Sequence, residues 1–524
     1  MKKFNVTGLC VPDKHYMVNT EKKISVIMDF IRDGKYFTIN RARQFGKTTT
    51  LYLIEQCLKK SNDYVCIRLS FEGAGFSMFE TADLFCREFL MQASEALMSS
   101  DPAFAHQWLD DAVNDFAPLS RHISKRCKDR KIVLLIDEVD QASNFNVFLQ
   151  FLGMLRNQYL NRNAGSSNAF HSVILAGVYD IKNIKLKLSN NELHTHHAAN
   201  QLNSPWNIAS KFTVDMFFNA DEISTMLTEY ENDHHTGMEI SAISEEIFRY
   251  TGGYPYLVSR ICQYIDEETD TKEWTVPGIQ KAVKAIAFEK SVLYDDIFKN
   301  LEKNQAIYDF MYALLIIGDK KRFSIFDPVA EWCGMFGFIY IDSSDGIIVS
   351  NKIFEMILTD YFISKENSAS FAARQVYSGI YEKITSDGRF NMELCLRKFA
   401  EHYAEMYTPE SNPFLETHGR LIFLSFLKPL VNGNGFYHIE SQFTDLRRMD
   451  VIIDYGREQF IVELKLWKGE KAQDKAYTQL LNYMESKSLR KGYLLVFDFR
   501  KEKNKKPKSE WINIDGREIF EVIV

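Results

Sequence analysis

Tyr36-Phe37-Thr38-Ile39-Asn40-Arg41-Ala42-Arg43-Gln44-Phe45-Gly46-Lys47-Thr48 reads as an apolar strand, a loop and the first turn of a helix. A chain of phosphates is held by backbone N–H groups converging at a helix N-terminus, a lysine reaching the β and γ oxygens, and a hydroxyl on Mg²⁺. Gly46, Lys47 and Thr48 offer these groups, with Arg43, Gln44, Phe45 and Thr49 bordering the same loop. The usual pattern has a glycine five residues before the second one, and Arg41 occupies that place. A bare Gly-Lys-Thr is also compatible with a glycine N-cap followed by a solvated lysine.

The stretch Lys131-Ile132-Val133-Leu134-Leu135-Ile136-Asp137-Glu138 decides between these readings. It is a buried strand ending in two carboxylates, Asp137 placed to hold Mg²⁺ through water and Glu138 to polarise an attacking water. Around these motifs, strand-length runs (Tyr36–Asn40, Tyr64–Ser70, Ile132–Asp137, Ser172–Val178) alternate with longer amphipathic ones (Thr48–Lys60, Met78–Ser99, Asn146–Gln158). That alternation predicts βαβ units on a parallel sheet, an α/β nucleotide fold. Residues 220–290 have helical period, broken at Thr251-Gly252-Gly253-Tyr254-Pro255, and predict a helical lid. Helices followed by Phe338–Ile341 and Gly346–Val349 predict a winged-helix-like module.

The chain has 524 residues with 63 Lys and Arg against 70 Asp and Glu, a net charge of −7, which excludes a basic nucleic-acid coat. With 46% hydrophobic and 25% charged residues it is globular in composition, and its length allows several domains. There is neither an apolar run long enough to span a membrane nor a secretory signal after Met1-Lys2-Lys3, so a soluble, cytoplasmic protein is expected. The 8 cysteines are dispersed and predict reduced thiols rather than a zinc ribbon or disulfide framework. His194, His196, His197, His234 and His235 lie in loop-like text without a regular ligand spacing and read as surface histidines.

From Gly435 the text changes to short strands around one helix, Ala472–Ser488, a small mixed sheet with an antiparallel start. Two alternating runs, Met449–Tyr455 and Gln459–Lys465, meet at Gly456-Arg457. A two-residue turn there sets Asp450 opposite Glu463, and strand alternation puts Glu463 and Lys465 on one face. Two carboxylates and a lysine on one face suit phosphodiester hydrolysis: the acids hold Mg²⁺, and the lysine stabilises charge or orients the water. A solvated face with cross-strand ion pairs gives the same string. Gln479 and Tyr483 follow one helical turn apart. Between Ser441 and Val524 there are 17 Lys and Arg and 14 Asp and Glu, and Lys501, Lys503, Lys505, Lys506 and Lys508 form a basic cluster that could meet a nucleic-acid backbone or simply be solvated.

Asn40–Thr50, Leu134–Asp140, Ser204–Ala209 and Gly252–Val258 together resemble the bacterial AAA-like P-loop ATPases, in which an Arg-x-Arg-x-Phe-Gly-Lys-Thr type of loop commonly replaces the standard one. The resemblance covers roughly the first 360 residues and implies ATP and Mg²⁺ as cofactors; it does not transfer an arginine finger, for which Arg249 and Arg260 are candidates that read equally as helix-surface arginines. Asp450, Glu463-Leu464-Lys465 and Gln479-x-x-x-Tyr483 resemble the PD-(D/E)XK nuclease superfamily, particularly its Gln-x-x-x-Tyr branch. That resemblance implies a further acid, Glu416 or Glu440, and it departs from the family at Met449, where a proline is common.

The expected division is 1–218 for an AAA-like ATPase core, 219–295 for the lid, 296–365 for the winged-helix-like module, 366–410 for a helical linker and 411–524 for the nuclease-like domain. The expected activity is ATP binding and hydrolysis joined to metal-dependent cleavage of nucleic acid, DNA before RNA, with homo-oligomerisation open. The alternative is a nucleotide-dependent switch whose C-terminal domain binds without cutting.

Overall fold

The computed structural model describes residues 2–61, 63–110, 112–142, 146–177, 206–287, 289–317, 322–324, 326–341, 345–369, 384–385, 389–406, 416–431, 435–438, 451–455, 458–498 and 507–524. The chain forms two compact units, Met1–Val283 with Gly334–Gly337, and Lys284–Cys333 with Phe338–Val524.

In the first unit four parallel strands, β1 (Tyr36–Asn40), β2 (Tyr64–Ser70), β3 (Lys131–Asp137) and β4 (Ser172–Gly177), lie in the order β1-β4-β3-β2. Strand alternation splits the apolar residues between two layers. Ile132, Leu134 and Ile136 of β3 face the helices Ala82–Met98, Phe116–Arg126 and Asn146–Asn163, while Val133 and Leu135 face Glu21–Arg32 and Lys47–Lys60. With helices on both sides, β3 is buried at every position after Lys131, which explains its uninterrupted apolar run. This is the expected parallel sheet. The stretch between Ser99 and Lys131, which the alternation passes over, holds two further helices, Pro102–His106 and Phe116–Arg126. Each starts at an aspartate whose side chain accepts a backbone N–H: Asp101 from Phe104 at 3.0 Å and Asp115 from Phe116 at 2.7 Å.

The helices Ala220–His234, Ile240–Thr251, Pro255–Glu267 and Val276–Ala287 follow the sheet. Asn219 and Glu222 close a capping box on the first of them. The turn at Gly252–Pro255 is pinned where Phe218 N–H donates to the Gly253 carbonyl at 2.9 Å. Gly253 has φ +77°, and a Cβ there would stand 1.7 Å from the Phe218 carbonyl oxygen. Only glycine fits.

The helices Val292–Lys303 and Gln305–Tyr312, a π-helical turn at Ala313–Ile317 and the helix Pro328–Met335 precede the antiparallel pair β5 (Ile339–Ile341) and β6 (Ile347–Val349), matching the helices-then-hairpin order read from the sequence. A six-stranded mixed sheet follows, comprising β7 (Gly435–His438), β8 (Val451–Tyr455), β9 (Glu458–Leu466), β10 (Lys491–Phe497), β11 (Lys508–Ile514) and β12 (Arg517–Ile523) in the order β11-β12-β10-β9-β8-β7. The start is antiparallel, β7 on β8 on β9, and β9, β10 and β12 then run parallel. One face buries Val451, Ile453, Val462 and Leu464 against the helices Met392–Met406 and Glu416–Val431; the other buries Ile452, Ile461, Leu494 and Val496 against Glu470–Ser486. Met392, Cys395, Leu396, Phe399 and Tyr403 all belong to the first of these cores, so the helix within the segment read as a linker is a packed layer of this unit.

Gly253→Ala is expected to destabilise the chain by more than about 2 kcal/mol, because the added methyl meets backbone and the φ is unfavourable at once. Chemical denaturation checks this, and an unchanged midpoint would show that the turn moves freely.

Candidate functional site

β1 and β3 flank β4, so the loop after Asn40 and the carboxylates after Ile136 emerge at the same C-terminal edge of the sheet. Gly46 caps the helix Lys47–Lys60 with φ +77°, and Gln44 also takes a left-handed φ of +56°. Lys47 is 5% exposed, and its Nζ donates to the carbonyls of Arg41 at 3.1 Å and Ala42 at 3.0 Å. Burial lowers its pKa, while the carboxylates of Glu138, Asp140 and Asp137 oppose that shift. Thr48 lies in the first helical turn, and the Thr49 hydroxyl accepts the Cys10 N–H at 3.2 Å. Arg43 is exposed and Phe45 buried.

Asp137 is buried, and its carboxylate accepts the Glu138 N–H at 3.0 Å. Glu138 has φ +52°. Burial raises its carboxyl pKa, with Lys47 pulling it down and Asp137 and Asp140 adding to the rise. Left-handed backbone at a non-glycine residue costs about 1–3 kcal/mol. Gln44 and Glu138 thus place two such residues at one sheet edge. Asp140, which the sequence reading did not single out, belongs to the same group: a Cβ on Gly177 would stand 3.0 Å from its Oδ1. The signal was present as a third acid two residues after Glu138.

Arg41 answers the missing glycine. Its guanidinium donates to the Asn40 carbonyl at 2.8 Å and the Val214 carbonyl at 3.2 Å, and lies 5.8 Å from the centre of the Phe212 ring. The side chain braces the loop against the segment before the helix Ala220–His234. Arg249 is paired with Glu246 at 2.8 Å and Arg260 with Glu268 at 2.5 Å, so each candidate finger is engaged locally. His234 stacks on Tyr230 at 4.2 Å. Ser204, Pro205, His194, His196 and His197 lie outside the described residues.

In the second unit the hairpin register is the one expected: Tyr455 pairs with Glu458, and pairing continues to Val451 with Val462. Asp450, Gly456, Arg457 and Glu440 lie outside the described residues, as do Lys501, Lys503, Lys505 and Lys506; Lys508 opens β11 and is exposed. Glu463 is 0% exposed, and Lys465 Nζ stands 2.8 Å from its Oε1. Both share the face of Ile461, which the helix Glu470–Ser486 covers with Leu480, Tyr483 and Met484. Gln479 is half-buried one turn before Tyr483, and Glu416 opens the helix Glu416–Val431.

A second group was not read from the sequence. Glu521, 3% exposed on β12, accepts from Gln473 Nε2 at 2.6 Å and Tyr477 Oη at 2.8 Å. It stands in one cross-strand row with Leu494 and Glu463. The signal was Gln473-x-x-x-Tyr477, which repeats the Gln479-x-x-x-Tyr483 spacing. Among the described residues no three His, Cys, Asp or Glu side chains gather as a metal-binding group.

Arg41→Gly, which restores the usual loop pattern, is expected to lower stability by about 1–3 kcal/mol, since two charge-assisted bonds and a ring contact are lost. A denaturation midpoint equal to the wild type's would show that the guanidinium braces nothing.

Residues 10–315 match the AAA-like domain family, and residues 436–508 match the PD-(D/E)XK nuclease superfamily. Comparison with curated proteins finds no match. Among solved structures the chain is similar to a Walker-type ATPase of Pyrococcus abyssi at 11% identity and TM-score 0.47, covering 68% of this chain and 99% of that one. It is similar also to the ORC2 protein of Aeropyrum pernix in its ADPNP–ADP complexes (10% identity, TM-score 0.34, 66% and 93% covered) and to Cdc6p of Pyrobaculum aerophilum (14% identity, TM-score 0.32, 66% and 96% covered). Among the described residues no helix is long and apolar enough to cross a membrane. With more than half of its length matched and the parallel sheet in place, the chain belongs to the AAA-like domain family and carries a PD-(D/E)XK nuclease superfamily domain towards its C-terminal end.

Proposed function

We propose that the chain binds and hydrolyses ATP at the edge of the parallel sheet and cuts nucleic-acid phosphodiester bonds at the second sheet, acting in the cytoplasm, on DNA before RNA. The observation that carries the second half is Glu463, a carboxylate with no exposed surface beside Lys465 Nζ at 2.8 Å on a strand bearing the Glu-x-Lys pattern. A buried charge is costly unless it is matched, and Lys465 matches this one on a face otherwise lined by Ile461, Leu494 and Val496. Asp450 and Glu463 would hold Mg²⁺, and the donor set, hard oxygens beside a lysine, fits that ion. Bound there, Mg²⁺ supplies charge neutralisation and a water of lowered pKa. Lys465 stabilises charge on the scissile phosphate, and Gln479 and Tyr483 orient the site from the covering helix.

At the first site Lys47 exchanges its two loop carbonyls for β and γ oxygens. Thr48 and Asp137 would hold Mg²⁺, and Arg43, Gln44, Phe45, Gly46 and Thr49 would frame the phosphates. Glu138 takes the proton of the attacking water. The work divides as 1–218 for nucleotide chemistry, 219–295 for the lid, 296–365 for the winged-helix-like module and 411–524 for cutting, with 366–410 leading into the cutting domain and packing on its sheet through Met392–Met406, and self-assembly fits such an ATPase.

Incubation with labelled single- and double-stranded DNA and RNA, with and without ATP and Mg²⁺, tests the whole. Glu463→Ala and Lys465→Ala are expected to abolish metal-dependent cutting while ATP hydrolysis continues; a chain that never cuts would leave a nucleotide-dependent switch. Glu138→Gln is expected to keep ATP binding while hydrolysis falls by about 100-fold or more. Because burial raises the Glu138 pKa, and the base works only when ionised, activity should be lost as pH falls through a value above the ordinary glutamate range. A pH–rate profile whose acid limb sits at the ordinary glutamate value would remove Glu138 from this role.

A further inference from the structure

The phosphate loop is gripped from outside by the turn between two helices that follow the sheet. The ring of Phe45, next to Gly46, meets Phe217 and Tyr254 edge-on, each at 4.8 Å. Tyr254 is fully buried, and its phenol donates to the Arg43 carbonyl at 2.7 Å. The turn that carries it has little freedom. Tyr254 N–H donates to the Thr251 carbonyl at 3.0 Å, Gly253 N–H to Thr251 Oγ1 at 3.1 Å, and Gly253 is seated against Phe218. Phe217 is held in turn, its carbonyl accepting Lys23 Nζ at 2.5 Å.

A peptide unit is rigid and trans, so fixing the Arg43 carbonyl turns the Gln44 N–H the opposite way. Gln44 is one of the two loop residues with left-handed φ, a conformation that needs outside support. We propose that Tyr254 is a positioning residue of the nucleotide site: its phenol draws the Arg43 carbonyl outward and so keeps the Gln44 N–H directed at the phosphates. The proposal rests on the nucleotide reading of Gly46-Lys47-Thr48. It gives the turn Gly252–Pro255 a task beyond joining helices, because any movement of that turn shifts the loop's donors.

Tyr254→Phe removes the hydroxyl and keeps the ring packed on Phe45. Calorimetric titration of the full-length chain with Mg-ADP is expected to show affinity about five-fold weaker than wild type, the worth of one neutral hydrogen bond. Amide hydrogen exchange at residues 43–46 should quicken while the helix Pro255–Glu267 keeps its protection, a pattern that a general loss of packing would not give. Equal affinity in the two chains overturns the proposal, as does faster exchange throughout that helix. A wild-type chain that binds no Mg-ADP overturns the nucleotide reading itself, and the role of Tyr254 with it.

Discussion

A phosphate cradle has to keep its own N–H groups available, so it cannot be stabilised by the backbone bonds that hold other turns together. In this chain the restraint is applied to the carbonyls instead. Those of Asn40, Arg41, Ala42 and Arg43 are bonded by side chains in turn: Arg41, Lys47 twice, and Tyr254. Four successive carbonyls are thus drawn to cations or a phenol, while the Arg41 N–H at the start of the loop pairs with the Gly177 carbonyl at 3.1 Å. The glycine of the common pattern is unnecessary here, because the arginine that replaces it supplies one of these bonds and reaches the Val214 carbonyl as well.

The same economy governs the carboxylates. β3 is apolar through Ile136 and ends with Asp137 inside the protein and Glu138 in a left-handed turn. Packing on both faces of β3 fixes where the acids emerge, and the absence of a side chain on Gly177 leaves room for Asp140 beside them. Lys47 is shielded from water, so the nearby acids act on it with little screening.

The second unit buries charge in a different way. Glu463 occupies a position whose neighbours on the same face, Ile461 on its own strand and Leu494 and Val496 on β10, are apolar, and the helix Glu470–Ser486 closes over them. Alternation along β9 puts Lys465 on the same side, and the pair sits in one layer at 2.8 Å. Glu521 is matched in that layer by Gln473 and Tyr477. Its place in line with Glu463 follows from parallel pairing of β9, β10 and β12.

Local pattern by itself determined the parallel sheet, the phosphate loop, the acid-tipped strand, the hairpin register and the shared face of Glu463 and Lys465. Each of these depends on a period of two along a strand, or on residues within a few positions of one another, and survives in a one-dimensional string. The helices between Ser99 and Lys131 were not legible because their signals are short caps rather than long periods. Tertiary structure alone decided that Arg41 reaches Val214, that Tyr254 bonds to Arg43, that Met392–Met406 packs on the second sheet, and that Glu521 is held by Gln473 and Tyr477. Those contacts join residues distant in sequence, and no spacing rule encodes them. They are set by which elements the burial of apolar surface brings side by side.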